Sequence, residues 1–324
     1  MKRNYGSMAL ALLLAACLFS GCGAQSTSAS VSVSTAASSD TAQQDAAQAT
    51  TYSTEASVID TTSLFSDRDL DGSYDTAAAV AIQLQGDDVG CDSDAVTVQD
   101  GTITSSQEGV YLVTGTLTDG QIQVNAPDDA KVQIVLSGAS VTSSSSAAIY
   151  ALNADKVFLT LAEGTENTLA NGGEYVAIDD NNIDAVIFAK TDLTLNGSFS
   201  IPYCYEGIEG LSITVEDGDF QITSVDDGMN AAGGADSSGV GGFGRGGQDS
   251  FRSDSGIEIV INGGSFVIVS EGDCIDSNGA LTINGGTLGL TCNGSGNTSL
   301  DADGSYTCAL PSRTCSPGMI TTAM

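Results

Sequence analysis

The chain has 324 residues, of which 41 are acidic and 9 basic, and it carries a formal charge of −32 with no histidine and no tryptophan. The missing histidine excludes Ser-His-Asp and Cys-His centres and any imidazole metal ligand, and the lack of basic patches excludes nucleic acid as a partner. Such a balance favours cations, or neutral and cation-bridged polymers.

Residues 1–22 read as an export signal. Lys2 and Arg3 precede an apolar run from Met8 to Phe19, too short to span a bilayer and of the length of a signal peptide. The run ends in Leu18-Phe19-Ser20-Gly21-Cys22, which resembles a lipobox with Cys22 as the lipidated residue. An ordinary secretory signal with an incidental cysteine is the alternative. Residues 23–57 are mostly Ala, Ser, Thr and Gln; a segment so poor in apolar surface stays disordered and serves as a tether. The expected location is the outer face of the cell membrane, held by the lipid alone, in a Gram-positive type of envelope.

From residue 58 the pattern is all β. Short alternating segments of Val, Ile, Leu, Thr and Phe, among them 95–98, 109–117, 121–124, 131–136 and 156–161, are divided by Asp100-Gly101, Asp119-Gly120 and Asn171-Gly172. Beyond Cys17 and Cys22, six cysteines (Cys91, Cys204, Cys274, Cys292, Cys308 and Cys315) are scattered without a CxxC pair and read as isolated thiols in core positions, not as a disulfide framework.

A repeat decides the architecture. Leu193-Thr-Leu-Asn-Gly-Ser-Phe-Ser-Ile201 aligns with Ile213-Thr-Val-Glu-Asp-Gly-Asp-Phe-Gln-Ile222, with Ile259-Val-Ile-Asn-Gly-Gly-Ser-Phe-Val-Ile268 and with Leu281-Thr-Ile-Asn-Gly-Gly-Thr-Leu-Gly-Leu290. Gly197, Gly218, Gly264 and Gly286 fall in step, and the one long interval holds a Gly-rich insertion at 232–255. A unit of about 22 residues with two or three short strands predicts a parallel β-helix whose stacked coils share one core. The rival, an immunoglobulin-type sandwich, predicts alternating hairpins and no repeated Asn-Gly-Gly-x-aromatic unit. The helix is expected over 58–306, with 307–324 an irregular tail.

Each repeat is followed by an acidic segment: Glu206-Gly-Ile-Glu209, Asp227-Gly-Met-Asn230, Asp273-Cys-Ile-Asp276 and Thr298-Ser-Leu-Asp301. With the apolar residue of each pointing inward, Glu206, Asp227 and Asp273 are expected to face outward in one ladder. Glu209, Asn230, Asp276 and Asp301 form another, with Asp226 and Asp303 beside them. Carboxylates at the strand spacing of about 4.8 Å repel unless a cation sits between them, and Ca²⁺ takes oxygen ligands of this kind. A solvated acidic edge is the plainer alternative. Asp67-Arg-Asp-Leu-Asp71-Gly-Ser-Tyr-Asp75 resembles the start of an EF-hand loop, but Ala78 stands where the bidentate Glu belongs, so it reads as a polar turn.

Gly109-Val-Tyr-Leu-Val-Thr-Gly-Thr-Leu-Thr-Asp-Gly-Gln-Ile-Gln-Val124, Lys131-Val-Gln-Ile-Val-Leu-Ser-Gly-Ala-Ser-Val141, Leu161-Ala-Glu-Gly-Thr-Glu-Asn-Thr-Leu169, Thr191-Asp-Leu-Thr-Leu-Asn-Gly197 and Gly272-Asp-Cys-Ile-Asp-Ser-Asn-Gly279 together resemble the secreted carbohydrate-binding domain family of clostridial and related bacteria. The resemblance spans about 58–305. It implies a right-handed parallel β-helix similar to pectate lyases, calcium in acidic loops, and polysaccharide ligands of plant type such as cellulose and polygalacturonate. Two departures stand out. Cys274 occupies a family Gly position, and after Tyr306 the pattern gives way to Cys308-Ala-Leu-Pro-Ser-Arg-Thr-Cys-Ser-Pro-Gly318, which reads as a truncated or frame-shifted end.

Three function classes follow: a polysaccharide binder, a lyase or hydrolase on the same fold, and a purely structural wall or adhesion protein. A lyase needs a basic residue beside calcium, and the acidic half offers only Arg245 and Arg252, both in the Gly-rich insertion. Asp226 and Asp227 are a carboxylate pair of the kind hydrolysis uses, equally explained as metal ligands. Tyr203 and Tyr205 flank the first acidic segment and are the candidate sugar-contacting rings.

Overall fold

A computed structural model describes residues 67–171, 175, 183–232 and 256–309. The export signal with Cys22, the tether, nearly all of the Gly-rich insertion and the end of the chain lie outside the described residues. No described residue is helical; among the described residues twenty-one strands join one sheet, and apart from two hairpins their pairings are parallel.

The strands pair in three columns. In the first, the register runs Tyr111 to Ile134, Leu159, Leu195, Val215, Ile261 and Ile283. The second runs from Ile103 through Ile122, Ile149, Ile187, Ile208 and Met229 to Ile275. The third stacks Phe199, Phe220, Phe266 and Leu288. Alternation along a strand sends every second side chain to one side, so all three columns aim their apolar residues into one shared interior, where Ile208, Met229, Ile275, Phe220 and Ile261 have no exposed surface. The residues aligned by the sequence repeat are therefore direct backbone partners. Ile213 pairs with Ile259 across the insertion, so the inserted residues leave the register intact.

The core is most regular in the third column. The Phe199 and Phe220 rings meet edge to face at 5.1 Å, and Phe220 stacks on Phe266 at 4.8 Å. The corner before this column turns at the aligned glycines. Gly197, Gly218, Gly264 and Gly286 have φ of 102°, 141°, 97° and 99°, values that side-chain-bearing residues avoid. A Cβ on Gly218 would also collide with the carbonyl of Gly197 one level away.

The hairpin Val96–Gln99/Thr102–Ser105 turns at Asp100 and Gly101, both with positive φ (49° and 78°), as a tight two-residue hairpin requires. The polar turn at 67–75 docks on the outside of the first column. Asp69 is 2% exposed, with Lys156 Nζ at 2.5 Å and the Thr194 hydroxyl donating at 2.6 Å, while Arg68 lies 4.8 Å over the Phe158 ring. The segment is a strap whose contacts include this ion pair, the Thr194 hydrogen bond and the Arg68 ring contact.

One expectation is corrected here. The regular structure does not stop at 306: Tyr306–Cys308 is a strand paired with 281–283, and Ala309 N–H donates to the Ile283 carbonyl at 2.8 Å. An open strand edge offers its N–H and C=O groups to any extended segment, so the pairing does not need the alternation that the sequence lacks there. As the scattered spacing predicts, Cys204 and Cys274 are buried in the core, and Cys91, Cys292 and Cys308 pack against it. Cys274 replaces the expected glycine by turning its thiol inward, 3.2 Å from the Ser270 hydroxyl.

Candidate functional site: two acidic clusters on one column

The second column carries the acidic residues. Because Ile208, Met229 and Ile275 occupy its interior side, the next residues, Glu209, Asn230 and Asp276, are register partners on the opposite side. The same row continues backwards through Phe188 and Tyr150, whose rings meet edge to face at 5.7 Å. Asp301 N–H donates to the Ile275 carbonyl at 2.9 Å, which brings its carboxylate beside the end of the row.

The carboxylates do not form two solvated ladders. Glu206 and Glu209 are 1% and 0% exposed, and Asn230 is 4% exposed. The outward row is buried here, and its earlier members Tyr150 and Phe188, with Ile183, Ala147 and Ala185, form a small second apolar cluster separate from the main core. The ligand-type oxygens also gather across the expected ladders. Asp184, Glu206 and Glu209 bring one oxygen each within 4.8 Å of one another, and Asp273, Asp276 and Asp301 do the same. Asp184 was not anticipated. It lies just before the strand Ala185–Asn196, and Glu206 N–H donates to its carbonyl at 3.2 Å. The available signal was an Asp three residues before Ile187, which is the register partner of Ile208.

Electrostatics in the second cluster are those of crowded, partly desolvated anions. Burial pushes Asp276 up to about 7, helped by the charges of Asp273, Asp301 and Asp303. Asp227 is raised well above the usual carboxylate range, first by burial and then by Asp276, Asp226 and Asp273. Asp273 is raised by burial, and also by Asp301 and Asp226, against the lowering effect of Thr298. Its backbone N–H donates to Asp227 Oδ1 at 2.6 Å, and its own carboxylate accepts from Thr298 N–H. Gly272 makes the approach possible, since a Cβ there would strike the Asp226 and Asp227 carboxylates. Asp303 is exposed and stands at the rim.

Asn230 lies between the two clusters in the register. Its buried carboxamide oxygen accepts no hydrogen bond among the described residues. Natural structures seldom leave a buried oxygen in that state, because doing so costs roughly 1–3 kcal/mol. A neutral oxygen aligned with Glu209 and Asp276, among carboxylates raised by burial and by one another's charge, fits a hard cation that takes mixed carboxylate and amide oxygens.

The two candidate tyrosines part company. Tyr205 is half-buried and sits at the clusters, its hydroxyl hydrogen-bonded with Asp226 and its ionisation pushed up by burial. Tyr203 is 63% exposed and lies in the third column. Arg245 and Arg252 lie outside the described residues.

A family model described as carbohydrate-binding domain-containing protein matches residues 99–309. A curated protein of the same description from Acetivibrio thermocellus is 33% identical over 120 residues, 36% of this chain and 42% of its own length; the match thus spans less than half of that relative. A solved structure described as the polysaccharide lyase-like protein from C. thermocellum, gadolinium derivative, superposes with a TM-score of 0.46 at 24% identity, over 71% of this chain and 99% of that one. The family match covers more than half of the 324 residues, and the chain belongs to the family of carbohydrate-binding domain-containing proteins.

Proposed function

We propose that the domain is a non-catalytic polysaccharide-binding module stabilised by calcium and presented on the cell surface through lipid on Cys22. Membership of the carbohydrate-binding family carries the ligand class. The three parallel columns support a parallel β-helix, and the strong preference of parallel crossover connections for the right hand makes it right-handed. For calcium, the supporting observation is the orphaned Asn230 oxygen between two groups of crowded carboxylates. Asp273, Asp276 and Asp301 would hold one ion, with Asp226 and Asp227 alongside. Asp184, Glu206 and Glu209 would hold another, with Asn230 between the two. The bound ion supplies positive charge that cancels the repulsion among these groups.

The binder is preferred to a lyase on family membership. Of the described basic residues, Lys156 lies against Asp69, Lys131 against Asp155 and Arg68 over the Phe158 ring, while Lys190 is exposed. The test is retention of the full chain on insoluble polysaccharides, in calcium and in chelator, together with an assay for unsaturated and reducing products. Retention without product is expected. Product formation on polygalacturonate in calcium would turn the assignment to a lyase, and failure to bind any polysaccharide would overturn it.

A further inference from the structure

The outward sides of the three columns differ in one respect that bears on where a glycan can lie. The first column is covered: its outward row Gln133, Phe158, Thr194, Thr214, Val260 and Thr282 is 0–7% exposed, in part beneath Gly72, Ser73 and Arg68. The second is covered over Tyr150, Phe188, Glu209 and Asn230. The third is open. Its outward row runs in register through Ser140, Thr168, Ser200, Gln221, Val267 and Gly289, and none of these six is buried. The next outward row, Thr223, Val269 and Thr291, is open as well.

Not one of these positions is charged, in a chain of 41 acidic residues; acid returns where the strands begin, with Asp217 and Asp219, and just beyond where they end, with Asp226, Asp227 and Glu271. Six levels at about 4.8 Å per level make a flat strip roughly 24 Å long, enough for several sugar rings end to end. One irregularity interrupts it. Ile201 pairs with Ile222 but Cys204 pairs with Ser224, so the strand at 199–204 holds an extra residue at Pro202-Tyr203. A bulge re-aims a side chain, and here it turns Tyr203 outward, 63% exposed. An amphipathic ring standing on a flat uncharged sheet is a stacking surface for the apolar face of a sugar.

Resting on the proposed polysaccharide binding, we infer that the glycan docks on this third column, with Tyr203 as its anchor, and that the chain it takes is extended and uncharged. A polyanion would gain nothing from a strip that has no cation, and it would approach the acidic corner unfavourably. Ser, Thr and Gln side chains supply donors and acceptors to sugar hydroxyls, and Val267, 54% exposed, supplies apolar contact.

The experiment compares retention of the full chain, in calcium, on an uncharged insoluble β-glucan and on polygalacturonate, for the unaltered protein and for Tyr203→Ala, Tyr203→Phe, Gln221→Glu and Val98→Glu. All these side chains are exposed, and an unchanged unfolding midpoint confirms that each variant folds. Tyr203→Ala is expected to weaken glucan binding by about tenfold, the size that loss of one aromatic anchor carries. Tyr203→Phe should retain binding, and Gln221→Glu should weaken it by placing a charge on the strip without changing its shape. Val98→Glu, away from the strip on the hairpin, should bind as the unaltered protein does. Full binding by both Tyr203→Ala and Gln221→Glu would overturn the docking face and leave polysaccharide binding standing. Retention on polygalacturonate alone would overturn the uncharged ligand, and retention on neither polymer would overturn the docking face and the proposed function together.

Discussion

Replacing Asp273 and Asp276 together by Asn tests the metal reading through stability. The oxygens of Asp273, Asp276 and Asp301 lie within 4.8 Å of one another. At that separation each ionised pair costs roughly 3.5 kcal/mol at an effective dielectric of about 20, a cost borne only by the folded state. A ligand that binds the native state alone adds about 2.7 kcal/mol at one hundred times its dissociation constant. For a domain of this size, each kcal/mol moves the unfolding midpoint by about 2–4 °C, so saturating calcium should raise it by roughly 5–11 °C over chelator. The double variant loses two charged ligands and two sources of repulsion. In chelator it should unfold at or above the temperature of the unaltered protein, and calcium should move it little. Magnesium should do less than calcium, because it demands a tighter octahedral shell. Asp303→Asn, at the exposed rim, should keep the calcium response. Thermal unfolding followed by circular dichroism, across a calcium titration and in chelator, reads all of these. A midpoint indifferent to calcium, or a double variant that responds as fully as the unaltered chain, would return the clusters to a merely acidic surface.

Phe220→Ala removes a fully buried ring from the stack with Phe199 and Phe266 and should cost about 3–5 kcal/mol, read from denaturant unfolding; a loss below about 1 kcal/mol would mean that the third column is not tightly packed. Asp69→Ala leaves Lys156, whose side chain is 15% exposed, without its partner and should destabilise by about 3–5 kcal/mol, with earlier proteolysis near 67–75 as the second readout. Glu258 is pushed up by burial, then by Asp192, against the lowering effect of Lys156. A raised folded pKa contributes stability below the unfolded pKa that is lost as pH rises through the folded one. Glu258→Gln is spared that loss, so its midpoint relative to the unaltered protein should rise as the pH climbs above about 4, and a flat difference would refute the shift.

What the sequence by itself determined is whatever is written in periodicity. The alternation of Val, Ile and Thr set strands and their inward sides, and the step of Gly197, Gly218, Gly264 and Gly286 set which residues pair, because stacked levels succeed only when like positions meet. The acidic segments announced themselves for the same reason: they recur beside Ile208, Met229 and Ile275. Burial of those acids was not legible. The alternation that sends Glu209 out of the core says nothing of whether that side is buried, and the Tyr150–Phe188 cluster in the same outward row joins residues from separate strands. Asp184 enters the site through proximity to Glu206 and not through the repeat, and Asp69 meets Lys156 and Thr194 across 87 and 125 residues of chain. Tertiary structure alone decided which outward sides are covered and which is open. Whether an outward residue meets water, a strap or another ring depends on segments distant in the chain, and no local pattern encodes their arrival.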